Sequence, residues 1–186
     1  TITRNVTVCV DMEIRETYRP VVLWSPSRPA LYDLRVQLLD ENNCLDQVDT
    51  YFGMRKIEVR DGIVYLNNDR LYQRLILDQG YWPESLLTPP VPESYMDDIL
   101  AMKALGFNTL RKHIKVEMEE FYYQCDKLGM IVWQDMVNNS DYNFLRDTAL
   151  PTAGIQKLDD RAWHTQYGHR EGFFRSAEAL VNQLKN

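Results

Sequence analysis

Alternating apolar and polar residues fill most of the first 75 positions of the chain and predict short β-strands. The alternation is clearest in residues 6–14, 31–40 and 47–59. Turn-forming pairs follow at Asp61-Gly62 and at Asn67-Asn68. Short strands separated by turns about every ten residues are typical of a β-sandwich, and we expect one in this region.

From about residue 72 the pattern changes to apolar strands that alternate with amphipathic helices. Strands are predicted at residues 74–78, which form a continuous apolar run, and at residues 107–114 and 130–136. Between them, one helix is predicted from Ser94, as its N-cap, to Leu105, with Gly106 as its C′ residue, and another from about Glu117 to Leu128, ended by Gly129. This β-α-β-α-β order predicts a parallel sheet covered by helices.

Polar side chains stand at the C-terminal end of every strand of this predicted parallel sheet. They are Asp78 and Gln79, then Arg111, Lys112 and His113, then Gln134 and Asp135. Parallel strands end at one rim of a sheet, and α/β folds place their chemistry there. Asp78 and Asp135 could be paired carboxylates for acid–base work, or could simply bind arginine or backbone groups. His113 is a candidate for positioning a substrate hydroxyl.

Composition narrows the classes of function. The chain has 186 residues and a net charge of −6, which argues against a nucleic-acid-binding face. No apolar run approaches the roughly 18 residues of a membrane helix, and the opening residues lack a signal-peptide pattern. The compartment stays open, with a cytoplasmic location slightly favoured. The three cysteines form no CxxC pair, so neither a zinc site nor a disulfide framework is indicated. We expect no cofactor and assign no metal-binding residue. A Gly-rich phosphate loop and a GxSxG motif are both absent from the sequence.

Several other residues have two readings. Trp82 and Trp133 could stack on a ligand ring or fill the core. His164 and His169 are five residues apart around Gly168, a spacing that does not favour a metal site. The acidic run Glu117, Glu119 and Glu120 is expected to form the solvated first turn of the second helix.

Five segments, in this order along the chain, resemble motifs of glycoside hydrolase family 2, which contains β-galactosidases, β-mannosidases and β-glucuronidases. They are residues 23–38, 49–59, 63–79, 98–113 and 125–136. The segment 98–113, DILAMKALGFNTLRKH, is similar to the family pattern D-I-x-x-M-K-x-x-G-x-N-x-x-R. Four places depart from the family pattern. His113 follows Arg111 one residue early, and Asp135 stands where the family has a glutamate. Asn67-Asn68 replaces the family's asparagine-glycine in the hairpin, and Asp78-Gln79 replaces its arginine-glycine.

The resemblance implies a retaining glycosidase whose two glutamates lie about 5 Å apart. It implies a partial immunoglobulin-like sandwich in residues 1–60 and the first three βα units of a (β/α)8 TIM barrel in residues 61–186. Both catalytic glutamates would then lie beyond the C-terminus, and we expect the chain to be an inactive fragment. The residues implied to bind substrate are Asp78, Trp82, Arg111, His113 and Asp135.

The resemblance leaves the substrate open. A β-galactosidase-like activity is expected first, with a β-mannosidase or β-glucuronidase type as the alternative. Rival hypotheses are a non-catalytic carbohydrate-binding module and a stand-alone α/β enzyme that uses Asp78 with Asp135. The expected partners are a carbohydrate substrate and the remainder of the same polypeptide, without nucleic acid or membrane. An unpaired sheet edge would also favour self-association.

Overall fold

The computed structural model describes residues 21–40, 43–137, 144–155 and 167–184. The strand predicted at residues 6–14 and the residue His164 lie outside these ranges, and the side chain of His169 is not described. The strands are β1 Tyr32–Asp40, β2 Asn43–Phe52, β3 Ile57–Arg60, β4 Ile63–Leu66, β5 Asp69–Arg70, β6 Leu75–Asp78, β7 Thr109–Lys112 and β8 Ile131–Gln134. The helices are α1 Glu93–Ala104, α2 Glu119–Leu128, a π-helical turn Leu145–Ala149, α3 Leu150–Thr152 and α4 Tyr167–Leu184.

The first two strands form an antiparallel ribbon that is exposed on both faces. The register runs from Tyr32 opposite Phe52 to Asp40 opposite Asn43. The predicted strand 47–59 is wrong as a single element, because β2 ends at Phe52 and β3 begins only at Ile57. Between these strands the chain turns to meet Trp24, whose backbone N–H donates to the carbonyl of Met54 at 2.9 Å.

A small antiparallel sheet follows, in the order β3-β4-β5, and confirms both predicted turns. Asp61 and Gly62 have φ values of 50° and 75°, and Asn67 and Asn68 have φ values of 54° and 70°. Two successive positive φ angles are the mark of a type I′ hairpin turn, which Asn, Asp and Gly adopt most readily. The β3-β4 hairpin spans the predicted domain boundary at residue 60.

The predicted β-α-β-α-β run is confirmed as a three-stranded parallel sheet in the order β6-β7-β8. α1 and α2 cover one face of it, and their shared core consists of Tyr95, Ile99, Leu110, Phe121, Cys125 and Met130. Gly106 and Gly129 follow the two helices with positive φ angles, as predicted. The Ser94 cap is wrong: α1 already begins at Glu93, and its N-cap residue is Pro92.

The other face of the parallel sheet is open. Side chains alternate along a strand, so Leu77, Arg111 and Trp133, which lie opposite one another in register, project from the face that the helices do not cover. All three are exposed. Among the described residues, no strand pairs with the outer edge of β6 or of β8. In the part of the chain that the structure describes, the sheet therefore has one uncovered face and two unpaired edges.

Buried contacts join the first strands to the end of α2. Trp24 is buried, and its indole Nε1 donates to the carbonyl of Asp126 at 2.7 Å. Arg55 stacks over Trp24 and binds the Asp126 carboxylate at 2.8 Å. At Gly129, a Cβ would lie 2.5 Å from the Pro26 carbonyl oxygen, so only glycine allows this approach. The helices within the described ranges include none that is long and apolar enough to cross a membrane.

Candidate functional site

The ends of β7 and β8 carry an ion pair on the open face of the sheet. Arg111 Nε lies 3.0 Å from Asp135 Oδ1, and its Nη2 lies 3.0 Å from Oδ2. The Arg111 side chain is 47% exposed and that of Asp135 is 21% exposed. The hydrogen bonds from Arg111 lower the pKa of the Asp135 carboxyl, which therefore stays ionised. This two-pronged pair fixes the carboxylate beside solvent.

His113 lies on the same side of the strand ends as the Arg111–Asp135 pair. Its Nδ1 is 3.1 Å from Oε1 of Gln79, the residue that follows β6. His113 and Gln79 are separated by 34 positions in the sequence, so the parallel register brings them together. Polar groups from all three strands thus meet at one rim, as the sequence predicted.

On the helix side of the same rim, Lys112 forms the centre of a buried charged cluster. Its Nζ lies 2.7 Å from Asp78 Oδ2 and 2.9 Å from Glu117 Oε1, and only 1% of the residue is exposed. The ammonium group also lies 4.4 Å from the centre of the Phe121 ring. Asp78 accepts a further hydrogen bond from the backbone N–H of Gly80 at 2.9 Å. Asp78 is therefore bound to a buried lysine rather than free beside Asp135.

The position of Glu117 differs from the one predicted. It was expected on a solvated helix face, but α2 begins only at Glu119, and Glu117 is 7% exposed. Its carboxylate accepts hydrogen bonds from Lys112 and from the Tyr95 hydroxyl, the latter at 2.8 Å, and pairs with Lys115 at 2.8 Å. Burial alone would raise the pKa of Glu117, but these lysines lower it overall.

Lys115 anchors the loop between β6 and α1. Its ammonium group donates to the carbonyls of Gly80 and Leu87, and lies 5.3 Å from the centre of the Trp82 ring. Trp82 packs edge-on against Tyr95, with ring centroids 5.4 Å apart, so the structure places it against the core. Its neighbour Tyr81 is 62% exposed and also lies near Lys115. Sequence reasoning missed Tyr81, although it is the aromatic residue directly before Trp82.

The five predicted substrate-binding residues thus fall into two groups. Arg111, His113 and Asp135 lie together on the open face, whereas Asp78 and Trp82 lie on the helix side around Lys112 and Lys115. Gln134 lies with the helix-side group, since its amide accepts from the Tyr122 hydroxyl at 2.7 Å and donates to the Lys115 carbonyl at 2.8 Å.

The chemistry of this rim is hydrogen bonding by charged groups. Both of its candidate acids are ion-paired, Asp135 with Arg111 and Asp78 with Lys112. In the part of the chain that the structure describes, no three His, Cys, Asp or Glu side chains lie close enough to hold a metal ion. A cavity of about 810 Å³ between β2 and α2 is lined by none of the five predicted residues.

The family model "Glycosyl hydrolases family 2" matches residues 4–55. A β-galactosidase from Vibrio vulnificus strain YJ016 is 32% identical over 168 residues, which cover 90% of this chain and 15% of that protein. This chain therefore spans about a seventh of that relative's length.

Solved structures agree with the sequence matches. Bacteroides uniformis β-glucuronidase 3 matches with a TM-score of 0.55 and 28% identity, over 62% of this chain and 15% of that one. A GH2 β-galacturonidase from Eisenbergiella tayi matches with a TM-score of 0.58 and 25% identity, over 62% of this chain and 20% of that one. With its family-model match, its curated relatives and these structures in agreement, the chain belongs to glycosyl hydrolase family 2.

Proposed function

We propose that this chain is part of a retaining glycoside hydrolase, and that the sugar binds at the C-terminal ends of β6, β7 and β8. The observation that carries the proposal is the Arg111–Asp135 ion pair, which stands with His113 and Gln79 on the open face of the parallel sheet. Charged hydrogen-bonding groups at the ends of parallel strands are the usual setting of α/β enzyme sites. The glycosidase names of the relatives support the same reading.

The parallel sheet, in this proposal, is the first part of a (β/α)8 barrel within residues 61–186. Its open face would become the barrel interior, and its unpaired edges would meet further strands. The exposed side chains Leu77 and Trp133 support this, because apolar residues on an open sheet face need a covering layer. Residues 1–60 would supply part of an immunoglobulin-like sandwich.

Each residue of the rim then has a role. Arg111 orients the Asp135 carboxylate, while Asp135 and His113 hold sugar hydroxyls. Asp78 acts through Lys112, which joins it to Glu117 beneath the rim. Trp82 holds the loop in place from the core side, and the exposed ring of Tyr81 is available to stack on a sugar.

The described residues would bind the sugar without cleaving the glycosidic bond. A retaining glycosidase needs one carboxyl group that is protonated near neutral pH and a second that acts as the nucleophile. Asp135 cannot be the proton donor, because Arg111 lowers its pKa. Asp78 is bound to Lys112 in the buried cluster on the helix side of the sheet. We therefore expect no hydrolysis by the 186-residue chain alone.

The proposed substrate class is a β-galactoside. The curated relative that covers 90% of this chain is a β-galactosidase, whereas the solved relatives include a β-glucuronidase and a β-galacturonidase. A β-glucuronidase or β-mannosidase type therefore remains the alternative substrate class.

The test compares hydrolysis of the 4-nitrophenyl β-galactoside, β-glucuronide and β-mannoside by the complete gene product and by the 186-residue chain. We expect the complete gene product to release nitrophenol fastest from the β-galactoside, and the 186-residue chain to release none. Sugar binding without hydrolysis by the complete gene product would instead support a carbohydrate-binding module. Turnover by the 186-residue chain would contradict the roles assigned to Asp78 and Asp135.

A further inference from the structure

A cavity of about 590 Å³ lies at the opposite end of the parallel strands from the rim. Its walls come from the connection before β1, from the β4-β5 hairpin, and from the chain around the starts of β6 and β7. The charged residues that line it are Asp69, Arg70, Arg74 and Lys103. We call it the basic cavity, and its volume is within the usual range for small-molecule sites.

The cations of the basic cavity differ from those of the rim in having no acidic partner within the described ranges of the chain. Arg111, Lys112 and Lys115 at the rim each bind a carboxylate. Among the described residues, no carboxylate pairs with Arg70, Arg74 or Lys103, and Asp69 is the single acidic residue of the cavity lining. In a chain whose net charge is −6, a cavity lined by three cations and one acidic residue is an electrostatically favourable place for an anion.

The hydrogen-bonding capacity of these cations is largely unused. Lys103 Nζ donates to the carbonyls of Pro26 at 2.9 Å and Gly129 at 3.0 Å, which leaves one of its three N–H groups. Arg74 donates only its Nε–H, to the carbonyl of Gly106, within the described part of the chain. The Arg70 guanidinium, with five N–H groups, makes no hydrogen bond to any described residue.

The partial burial of Lys103 also favours a bound anion. Removal from water lowers the pKa of its ammonium group, and its two protein partners are neutral carbonyl groups. A bound anion would supply the opposite charge that the described residues do not provide. The planar guanidinium groups of Arg70 and Arg74 would add paired N–H donors, which fit two oxygens of one oxyanion.

We propose that the basic cavity binds the oxyanion group of a small molecule, a carboxylate, sulfate or phosphate, through Arg70, Arg74 and Lys103. This site is separate from the sugar-binding rim and does not depend on the proposed glycosidase activity. Because its walls come from three parts of the chain, an anion bound there would also hold those parts together.

Isothermal titration calorimetry on the 186-residue chain tests the proposal, with glucuronate, inorganic sulfate and inorganic phosphate as the probes and glucose as the neutral control. We expect one oxyanion to bind with a stoichiometry of one and glucose to give no heat. The probe that binds most tightly identifies whether the natural ligand carries a carboxylate, a sulfate or a phosphate.

Two variants remove the proposed contacts, a third serves as the matched control, and a fourth keeps the charge at position 70. Arg70→Gln and Arg74→Gln should each weaken binding about tenfold or more, since a charged hydrogen bond is lost. Arg35→Gln, on the exposed ribbon, should bind within about twofold of the original chain, because Arg35 pairs with Asp49 outside the cavity. Arg70→Lys keeps the charge but not the paired N–H groups, and should give an intermediate affinity.

Two results would overturn the proposal: no binding by any of the three oxyanions, or binding that survives both Arg70→Gln and Arg74→Gln. If Arg74→Gln impairs folding through its lost bond to Gly106, Arg70→Gln decides alone, because Arg70 bonds to no described residue.

Discussion

Two ion-paired clusters occupy opposite sides of the same strand ends, and they differ in their access to solvent. The Arg111–Asp135 pair is on the open face, with the Arg111 side chain 47% exposed. The Asp78–Lys112–Glu117 cluster is on the helix side, with Lys112 only 1% exposed. Neighbouring residues of one strand, Arg111 and Lys112, therefore hold charges in very different surroundings.

This difference in solvent exposure indicates that the two clusters have different roles. Exposed ion pairs contribute little to stability, so the Arg111–Asp135 pair is free to serve a ligand. A buried charge that loses its partner is costly, so the Lys112 cluster should hold the loops of the rim in place. The following predictions test this division, in which the exposed Arg111–Asp135 pair serves binding and the buried Lys112 cluster serves stability.

The largest effect is expected from Lys112→Met, which leaves the Asp78 and Glu117 carboxylates without their shared cation. The free energy of unfolding should fall by about 3–5 kcal/mol, the cost of breaking a buried ion pair by removing one partner. Urea denaturation of the 186-residue chain measures it. The matched control is Lys56→Met, since Lys56 pairs with Glu58 on the surface and its loss should change little. Equal effects of the two substitutions would contradict the division.

Gly80→Ala tests the close packing of the cluster against the β6-α1 loop. A Cβ at Gly80 would lie 2.1 Å from Glu117 Oε1 and 2.7 Å from Lys112 Nζ, and its φ is +67°. Gly62→Ala is the control, because Gly62 has a φ of +75° but no atom within 4 Å of its added Cβ.

Backbone strain alone should cost Gly62→Ala about 1–2 kcal/mol. Gly80→Ala should cost about 2 kcal/mol more, since the charged cluster must move. Equal thermal and urea stabilities of the two variants would show that Gly80 is not packed against the cluster.

The free energy of unfolding should depend on pH through the ionisation of Glu117. Its pKa is lowered from the ordinary value of 4.5, so below that pH the unfolded chain takes up more protons than the folded chain. The stabilisation is complete above pH 4.5 and is lost as the pH falls through the folded-state value. In urea titrations from about pH 7 to about pH 3, the stability gap between the original chain and Glu117→Gln should narrow with acid. A constant gap would refute the ionised, ion-paired Glu117.

The smallest effect on stability is expected from Arg111→Ala. Because Arg111 is exposed and its partner Asp135 reaches solvent, the urea midpoint should stay close to that of the original chain. A loss of stability as large as that caused by Lys112→Met would show that the Arg111–Asp135 pair serves the fold and not binding.

Local signals in the sequence were sufficient for much of the fold. Gly106, Gly129 and the pair Asn67-Asn68 act through their own backbone angles, so their roles could be predicted from neighbouring residues alone. The parallel register then brought His113 to Gln79 at one rim.

The errors came from contacts between distant parts of the chain. The break after Phe52 depends on Trp24, which lies 28 positions earlier. Burial of Glu117 depends on Tyr95 in α1 and Lys112 in β7, while its acidic neighbours Glu119 and Glu120 gave the pattern of a solvated helix start. Such partners have no signal in a local window of sequence.

The most direct test of the central claim measures kcat/KM for 4-nitrophenyl β-galactoside hydrolysis by the complete gene product and by its Arg111→Ala variant. If the exposed pair holds the sugar, kcat/KM should fall about 100-fold, while the urea midpoint stays the same. The Lys56→Met variant provides the control and should keep its activity. Hydrolysis by Arg111→Ala within about twofold of the original rate would contradict a sugar site at the ends of β6, β7 and β8.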